Sequence, residues 1–169
     1  MIGDRWGVTK DEVARHYSCD DLVSAPVLQA WRGVTVHATA DDLWPWVTQI
    51  RLAPYSYDWI DNLGRRSPQQ LRALGDPAPG DHFTTAGTRP LGRILTVDPV
   101  QQLTGQIMGA VMSYVLVPAA DSTRLLLKIV VARGRWLAPL LSVGDLVMAR
   151  RQLLNLKRLA EQSTAQPRV

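Results

Sequence analysis

The chain has 169 residues, of which 46% are hydrophobic and 20% charged, and nineteen Lys and Arg against fifteen Asp and Glu give a net charge of +4. This length and composition suit one globular domain with a full core and leave no room for a second domain of ordinary size. A single cysteine excludes an internal disulfide and every multi-cysteine metal site. The mild positive charge gives no support for a nucleic-acid partner.

The beginning of the sequence does not have the pattern of a secretion signal. Charged Asp4 and Arg5 stand where the apolar core of a signal peptide would lie, so we expect a cytoplasmic protein. Between Asp98 and Asp121 the chain is uncharged, but Gln, Ser and Pro interrupt its apolar residues. This stretch therefore predicts paired strands, and we expect no stable membrane insertion.

The first third of the chain predicts an arm, a strand and a helix. Residues 1–28 lack a clear period and indicate an N-terminal arm with one helical turn near Lys10–His16. Residues 29–38, rich in Val, Thr and Trp, alternate as a strand does. Thr39 is then a candidate N-cap, followed by two acidic residues, for a helix that contains Pro45.

The remaining elements follow in a simple order. Two short helices are predicted, one after Ser56 and one over residues 69–74. Strands are then predicted at 82–86, 91–97, 103–110, 112–117 and 123–132, before one long helix at 137–162. This order indicates an α+β domain over residues 29–163, with 164–169 as a flexible tail.

Several phrases of the sequence, together with this order of elements, resemble a known superfamily. They are WGVTKDEVA, RGVTVHATADDLWPWVTQI, YSYDWIDNLGRRSP, PGDHF and MARRQLLNLKRLAE, at 6–14, 32–50, 55–68, 79–83 and 148–161. They resemble the SRPBCC, or START-like, superfamily, and within it a polyketide cyclase/dehydrase-like bacterial subgroup. The resemblance implies the helix-grip fold, in which a curved antiparallel sheet of about six or seven strands wraps around the long C-terminal helix, with short helices after the first strand.

The resemblance also implies a site. Proteins of this fold hold an apolar or aromatic small molecule, such as a lipid, a sterol or a polyketide, in a cavity between the sheet and the C-terminal helix. The superfamily includes carriers, cyclases and other activities, so the fold alone selects no reaction. We expect no metal and no cofactor.

Five of the eleven aromatic residues lie between positions 44 and 59, where they could form a stacking wall for a flat ligand or simply fill the core. Arg93 could bind a ligand carboxylate if its strand turns it inward, and Val147 lies on the long apolar helix. The candidate ligand-binding residues are Trp46, Tyr55, Tyr57, Trp59, Arg93 and Val147.

A cyclisation would need a base that takes a proton from an acidic carbon and a donor that holds the enolate oxygen. Asp61 or His82 could be the base, and Tyr55 or Tyr57 could be the donor. Tyr57 and Asp61 are four residues apart and hence on one helix face. The structural alternative is that Asp61 bonds the backbone or one of the arginines that follow it.

Three functions remain open from the sequence. The first is a carrier or sensor that binds a hydrophobic small molecule. The second is a polyketide cyclase or aromatase-like lyase that acts through Tyr57, Asp61 or His82. The third is an interaction domain whose cavity is filled by its own side chains. The chain is expected to be a monomer or a homodimer.

Overall fold

The computed structural model describes residues 4–132 and 138–165, with side chains described outside 138–147. The elements in chain order are β1 (Arg5–Trp6), α1 (Lys10–Ala14), α2 (Ser18–Leu22), β2 (Leu28–Val36), α3 (Ala40–Thr48), a 3₁₀ turn (Gln49–Arg51), α4 (Asp58–Asp61), β3 (Thr84–Ala86), β4 (Arg89–Leu91), β5 (Arg93–Asp98), β6 (Gln102–Ile107), β7 (Ala110–Pro118), β8 (Thr123–Val131) and α5 (Ala138–Ala165).

Six strands form one open, curved sheet in the order β1-β2-β8-β7-β6-β5, and β3 and β4 form a separate hairpin. All pairs in the large sheet are antiparallel except β1 with β2. The long helix α5 packs on β2 and on α3. The structure therefore confirms the predicted α+β helix-grip fold.

The central strand β8 is buried on both of its faces. Leu125, Leu127 and Ile129 belong to the core between the sheet and the helices, whereas Leu126 and Val130 belong to a second cluster on the outer face. Side chains alternate along a strand, so a continuous apolar run such as this one needs a cover on each side of the sheet.

The N-terminal arm covers the outer face. Tyr17 and Cys19 are buried there against Trp31. Lys128, also on this face, pairs with Asp20, and its ammonium lies 5.4 Å from the ring centre of Tyr17 and 5.0 Å from that of Trp31. The buried ammonium is thus compensated by a carboxylate and two aromatic faces.

The arm is more ordered than the sequence indicated. A reciprocal pair of hydrogen bonds between Thr9 and Glu12 caps α1, where a helical turn was predicted. The second helix α2 and the strand β1, which pairs in parallel with β2, were not predicted.

The predicted helix over 69–74 was wrong. The side-chain amide of Gln49 donates to the carbonyl of Gln70 (3.1 Å) and accepts from the backbone N–H of Arg72 (2.7 Å). Arg51 donates to the carbonyl of Gly75 (2.5 Å). These bonds from the 3₁₀ turn hold the segment in an irregular course, because they take backbone groups that a helix would pair internally.

The predicted strand at 91–97 is divided in two by Gly92. Gly92 has φ +68°, and a Cβ there would lie 2.1 Å from the carbonyl oxygen of Gln106. Only glycine permits the backbone to lie this close to Gln106. At Gly92 the chain passes from the small hairpin into the large sheet. The turn between β6 and β7 lies at Met108–Gly109, two residues before the predicted position.

Gly105 on β6 allows the ring of Phe83 to lie directly against the sheet. A Cβ at Gly105 would be 2.2 Å from a ring carbon of Phe83, whereas one at Gly75 would meet no atom within 4 Å. Gly105→Ala is expected to destabilise the fold by about 1–3 kcal/mol through overpacking. Gly75→Ala is the matched control, which should be neutral or slightly stabilising. Urea denaturation measures both, and equal effects would contradict the packing argument.

Met108 and Gly109 form a two-residue hairpin turn in which both φ angles are positive, +49° and +85°. Such turns favour Asn-Gly, because a methionine is strained in this region of the backbone. Met108→Asn is therefore expected to raise the free energy of unfolding by about 0.5 kcal/mol or more. The same substitution at Gln101, where φ is not positive, serves as the control. A loss of stability in Met108→Asn would show that the methionine side chain contributes packing that outweighs the strain.

Candidate ligand-binding cavity

A cavity of about 360 Å³ lies between the inner face of the sheet, helix α5 and the segment that contains α4. The described residues that line it are mostly apolar: Ile50, Pro54, Ser56, Ile60, Asp61, Leu63, Phe83, Thr84, Thr85, Ala86, Leu91, Ile107, Met108, Met112, Tyr114, Met148, Ala149 and Gln152.

Two aromatic rings form part of its wall. Phe83 reaches the sheet over Gly105, and its ring centre is 6.2 Å from that of Tyr114 with the planes inclined at 44°. Tyr114 comes from β7, where it is fully buried. These large rings supply an apolar wall held rigidly by the sheet.

Gln152 of α5 connects the helix to both sides of the cavity. The hydroxyl of Tyr114 donates to its Oε1 (2.6 Å), and its Nε2 donates to the carbonyl of Pro54 (2.6 Å). One turn further along, Asn155 donates to the carbonyl of Tyr55 (2.8 Å). The polar groups of Tyr114 and Gln152 are therefore engaged within the protein, and α5 is held to the segment before α4.

The mouth of the cavity is apolar and exposed. Ile60, Leu63 and Met108 line the cavity and are 49%, 71% and 94% exposed, respectively. Leu63 and Met108 also have positive φ angles of 52° and 49°. A non-glycine residue with a positive φ strains the backbone, and exposed patches of large apolar side chains are typical of ligand- or partner-binding sites.

Asp61 is the one carboxylate among the described lining residues. The hydroxyl of Ser56 donates to its Oδ2, and the backbone N–H of Tyr57 in turn donates to the hydroxyl oxygen of Ser56 (2.6 Å). Burial raises the pKa of Asp61 above its ordinary value, and the negative charge of Asp58 adds to this effect.

Two polar atoms of the lining residues are buried and have no hydrogen-bond partner among the described residues. They are Oδ1 of Asp61 and Oγ1 of Thr84, which opens β3. The other carboxylate oxygen of Asp61 is bonded to Ser56. The lining residues thus include one carboxylate oxygen and one hydroxyl without a hydrogen-bond partner among the described residues.

The structure does not bring the three catalytic candidates together. Asp61 lines the cavity, but Tyr57 is half-buried outside the lining, with the guanidinium of Arg151 5.8 Å from its ring centre. His82 is exposed, and its Nε2 lies 3.1 Å from the carbonyl oxygen of Arg51. The spacing of Tyr57 and Asp61 suggested a shared face, but α4 is a single turn that begins after Tyr57, and of this pair only Asp61 lines the cavity.

The aromatic candidates lie beside the cavity. Trp46 is buried in the core of α3 and Tyr55 is buried before α4. Gln49 donates to the hydroxyl of Tyr55 (2.6 Å), and burial raises the pKa of that phenol to about 12. Trp59, by contrast, is 74% exposed.

Strand parity places Arg93 on the exposed side, since its neighbour Ile94 is buried in the core. The side chain of Val147 lies outside the described residues.

Sequence reasoning missed most of the wall. Phe83 stands between His82 and the start of β3, and Met112 and Tyr114 alternate on β7 with Ser113. The alternation of β7 was a usable signal, because residues two apart share one face of a strand. The orientation of Phe83 depends on Gly105, which is distant in sequence and carried no signal by itself.

No group of three His, Cys, Asp or Glu residues with the arrangement of a metal site is found in 4–132 and 138–165. Within the same ranges, no helix has the length and apolar character needed to cross a membrane.

The fold is shared with solved structures of low sequence identity. A protein from Mesorhizobium loti aligns with TM-score 0.56 and 16% identity, over 80% of this chain and 98% of its own. One from Nitrosomonas europaea aligns with TM-score 0.56 and 14% identity, over 83% and 98%. A polyketide-cyclase-like protein from Corynebacterium glutamicum aligns with TM-score 0.53 and 12% identity, over 83% and 95%.

No family model and no curated protein matches the sequence. The structural likenesses show a polyketide-cyclase-like helix-grip fold, as the resemblance of the sequence implied.

The raised pKa of Asp61 predicts a measurable pH dependence. The folded protein holds this proton more tightly than the unfolded chain does, so ionisation of Asp61 lowers stability as the pH rises from the ordinary range of an aspartate through the raised pKa. Asp61→Asn removes this loss while keeping an acceptor for Ser56. The free energy of unfolding of the variant minus that of the wild type should therefore increase between about pH 3.5 and pH 7.

Urea denaturation across this range measures the difference. Ser56→Ala is expected to have the opposite effect to Asp61→Asn, because it removes a hydrogen bond that lowers the pKa of Asp61. The loss of stability with rising pH should therefore be larger in Ser56→Ala than in the wild type. A difference between Asp61→Asn and wild type that is constant with pH would show that Asp61 is not perturbed.

Proposed function

We propose that the protein binds a hydrophobic or aromatic small molecule, of the lipid, sterol or polyketide-like class, in the cavity between the sheet and α5, as a carrier or sensor. The observation that carries this proposal is the cavity of about 360 Å³ with a mainly apolar wall and an exposed mouth. Small-molecule sites are commonly about 300–1,000 Å³ and have this combination of an apolar wall with few polar groups.

The exposed apolar mouth supports the same proposal. Ile60, Leu63 and Met108 would lose contact with water when a ligand occupies the space between them. Removal of apolar surface from water is the main source of affinity for such ligands. A carrier also needs an open mouth through which a hydrophobic ligand enters and leaves.

An interaction domain with a filled interior is less well supported. The large side chains of Trp46 and Tyr55, which could have filled the cavity, instead pack in the core beside it. The volume remaining among the described side chains is sufficient for a small molecule.

A cyclase-type enzyme is the second candidate, and the position of Asp61 is the observation that favours it. An ionised Asp61 in an apolar cavity could accept a proton from an acidic carbon, whose electron pair would move onto the adjacent carbonyl oxygen. The neighbour from Corynebacterium glutamicum is described as polyketide-cyclase-like, which supports testing this chemistry. Deuterium exchange at the acidic carbon of a long-chain 3-oxo ester tests it: wild type should accelerate the exchange and Asp61→Asn should not.

Blocking the cavity should abolish binding. Ala86 is half-buried in the cavity wall, whereas Thr88, two residues further along the same hairpin, is exposed and outside the lining. Ala86→Phe is expected to weaken binding of the hydrophobic dye N-phenyl-1-naphthylamine at least about tenfold, because the new ring occupies ligand space. Thr88→Phe is the matched control and should bind like wild type. Dye fluorescence measures both, and equal affinities would place the dye elsewhere.

Native mass spectrometry of the protein from its own host, followed by denaturing extraction, identifies the natural ligand class. A stoichiometric lipid, sterol or aromatic molecule is the expected result. A ligand-free protein that also fails to bind the dye would contradict the proposed function.

A further inference from the structure

Two polar atoms of the residues that line the mostly apolar cavity are buried and have no hydrogen-bond partner among the described residues, namely Oδ1 of Asp61 and Oγ1 of Thr84. The other polar side chains of the wall are engaged. Tyr114 and Gln152 bond each other, and Thr85 donates to the carbonyl of Leu52 (2.8 Å).

Buried polar atoms without partners are rare, because each gives up its hydrogen bonds to water and receives nothing in return. The cost is highest for a carboxylate. A carboxylate oxygen that lacks a partner on a residue lining a cavity is therefore best explained by a ligand that supplies the missing donor.

The bonding around Asp61 determines which kind of group is missing. The hydroxyl proton of Ser56 is committed to Oδ2, because the oxygen of Ser56 already accepts from the N–H of Tyr57. When Asp61 is ionised, Oδ1 can only accept, so a ligand that bonds to it must donate. A hydrocarbon, an ether or an ester leaves this oxygen unpaired.

Two ligand groups donate, a neutral hydroxyl and an ammonium. An ammonium is far more costly to bring out of water into an apolar cavity than a hydroxyl is, and Asp61 is the only carboxylate that the described lining offers it. A hydroxyl can also accept, so the same ligand group can take a hydrogen bond from the hydroxyl of Thr84.

We propose that the ligand is an apolar alcohol or phenol whose hydroxyl donates to Oδ1 of Asp61, with Thr84 as the second polar contact. This inference rests on the proposed function, and it names the chemical class that the cavity selects.

The test uses three ligands with the same number of non-hydrogen atoms: decan-1-ol, which donates and accepts, 1-methoxynonane, which only accepts, and decylamine, which is cationic at neutral pH. Each displaces N-phenyl-1-naphthylamine from the full-length protein, and the displacement gives its affinity. Decanol should bind about tenfold or more tightly than the ether, because its hydrogen bond is made to a charged group.

Asp61→Asn identifies the residue responsible. Its single carbonyl oxygen accepts from Ser56, so an amide N–H₂ faces the cavity and the preference for decanol over the ether should fall to about one or reverse. Asp58→Asn is the matched control and should keep the preference, since Asp58 bonds Ser67 and does not line the cavity. Thr84→Val, nearly the same shape, should weaken binding of both decanol and the ether, because the hydroxyl of Thr84 donates to an oxygen that both ligands carry.

The possible outcomes distinguish the proposal of a hydroxyl-bearing ligand from the proposed ligand-binding function. Equal binding of decanol and the ether by wild type overturns the hydroxyl assignment and leaves the apolar site intact. Decylamine binding tenfold more tightly than decanol overturns it in favour of a cationic ligand. Failure of the dye and of all three ligands to bind overturns the proposed function itself.

Discussion

Burial of the central strand β8 on both faces is the constraint on which the rest of the structure depends. Leu125 and Leu127 require a cover on the inner face, which α5 and α3 provide. Leu126 and Lys128 require one on the outer face, which the N-terminal arm provides through Tyr17 and Asp20, beside Trp31 of β2. The arm is thus part of the fold and leaves the inner face available for a ligand.

The cavity exists because the inner cover is incomplete. Helices α3 and α5 fill the part of the curved sheet next to β2, whereas the other part is bounded by α4, the β3–β4 hairpin and Phe83. Gln152 and Asn155 hold α5 to the segment before α4, so the space keeps its shape by hydrogen bonds as well as by packing. A rigid apolar wall with one carboxylate is suited to selecting a ligand by a single polar group.

Local patterns in the sequence were sufficient for most elements. The alternation over 29–38 and 123–132 and the Thr39 cap correspond to β2, β8 and α3 within one or two residues. The errors arose where a contact with a distant residue outweighed the local preference of the chain. Gln49 bonds the backbone of the segment 69–74, which is therefore not helical. The close approach of Gln106 to Gly92 divides a predicted strand. Neither contact can be recognised from neighbouring residues.

The sequence by itself determined most of the strands and helices from β2 onward, and Asp61 as a residue to examine, because periodicity and capping act over a few residues. That β8 is buried on both faces was decided by the tertiary structure. Only the tertiary structure decided that Asp61 lines the cavity while Tyr57 and His82 do not. It also decided that Ile94 rather than Arg93 turns inward, and that Phe83 forms part of the cavity wall. The placement of Asp61 depends on the direction of the one-turn helix α4, that of Ile94 on the register of the strands, and that of Phe83 on the space that the absence of a Cβ at Gly105 leaves for the ring. All three are set by contacts between residues far apart in the chain.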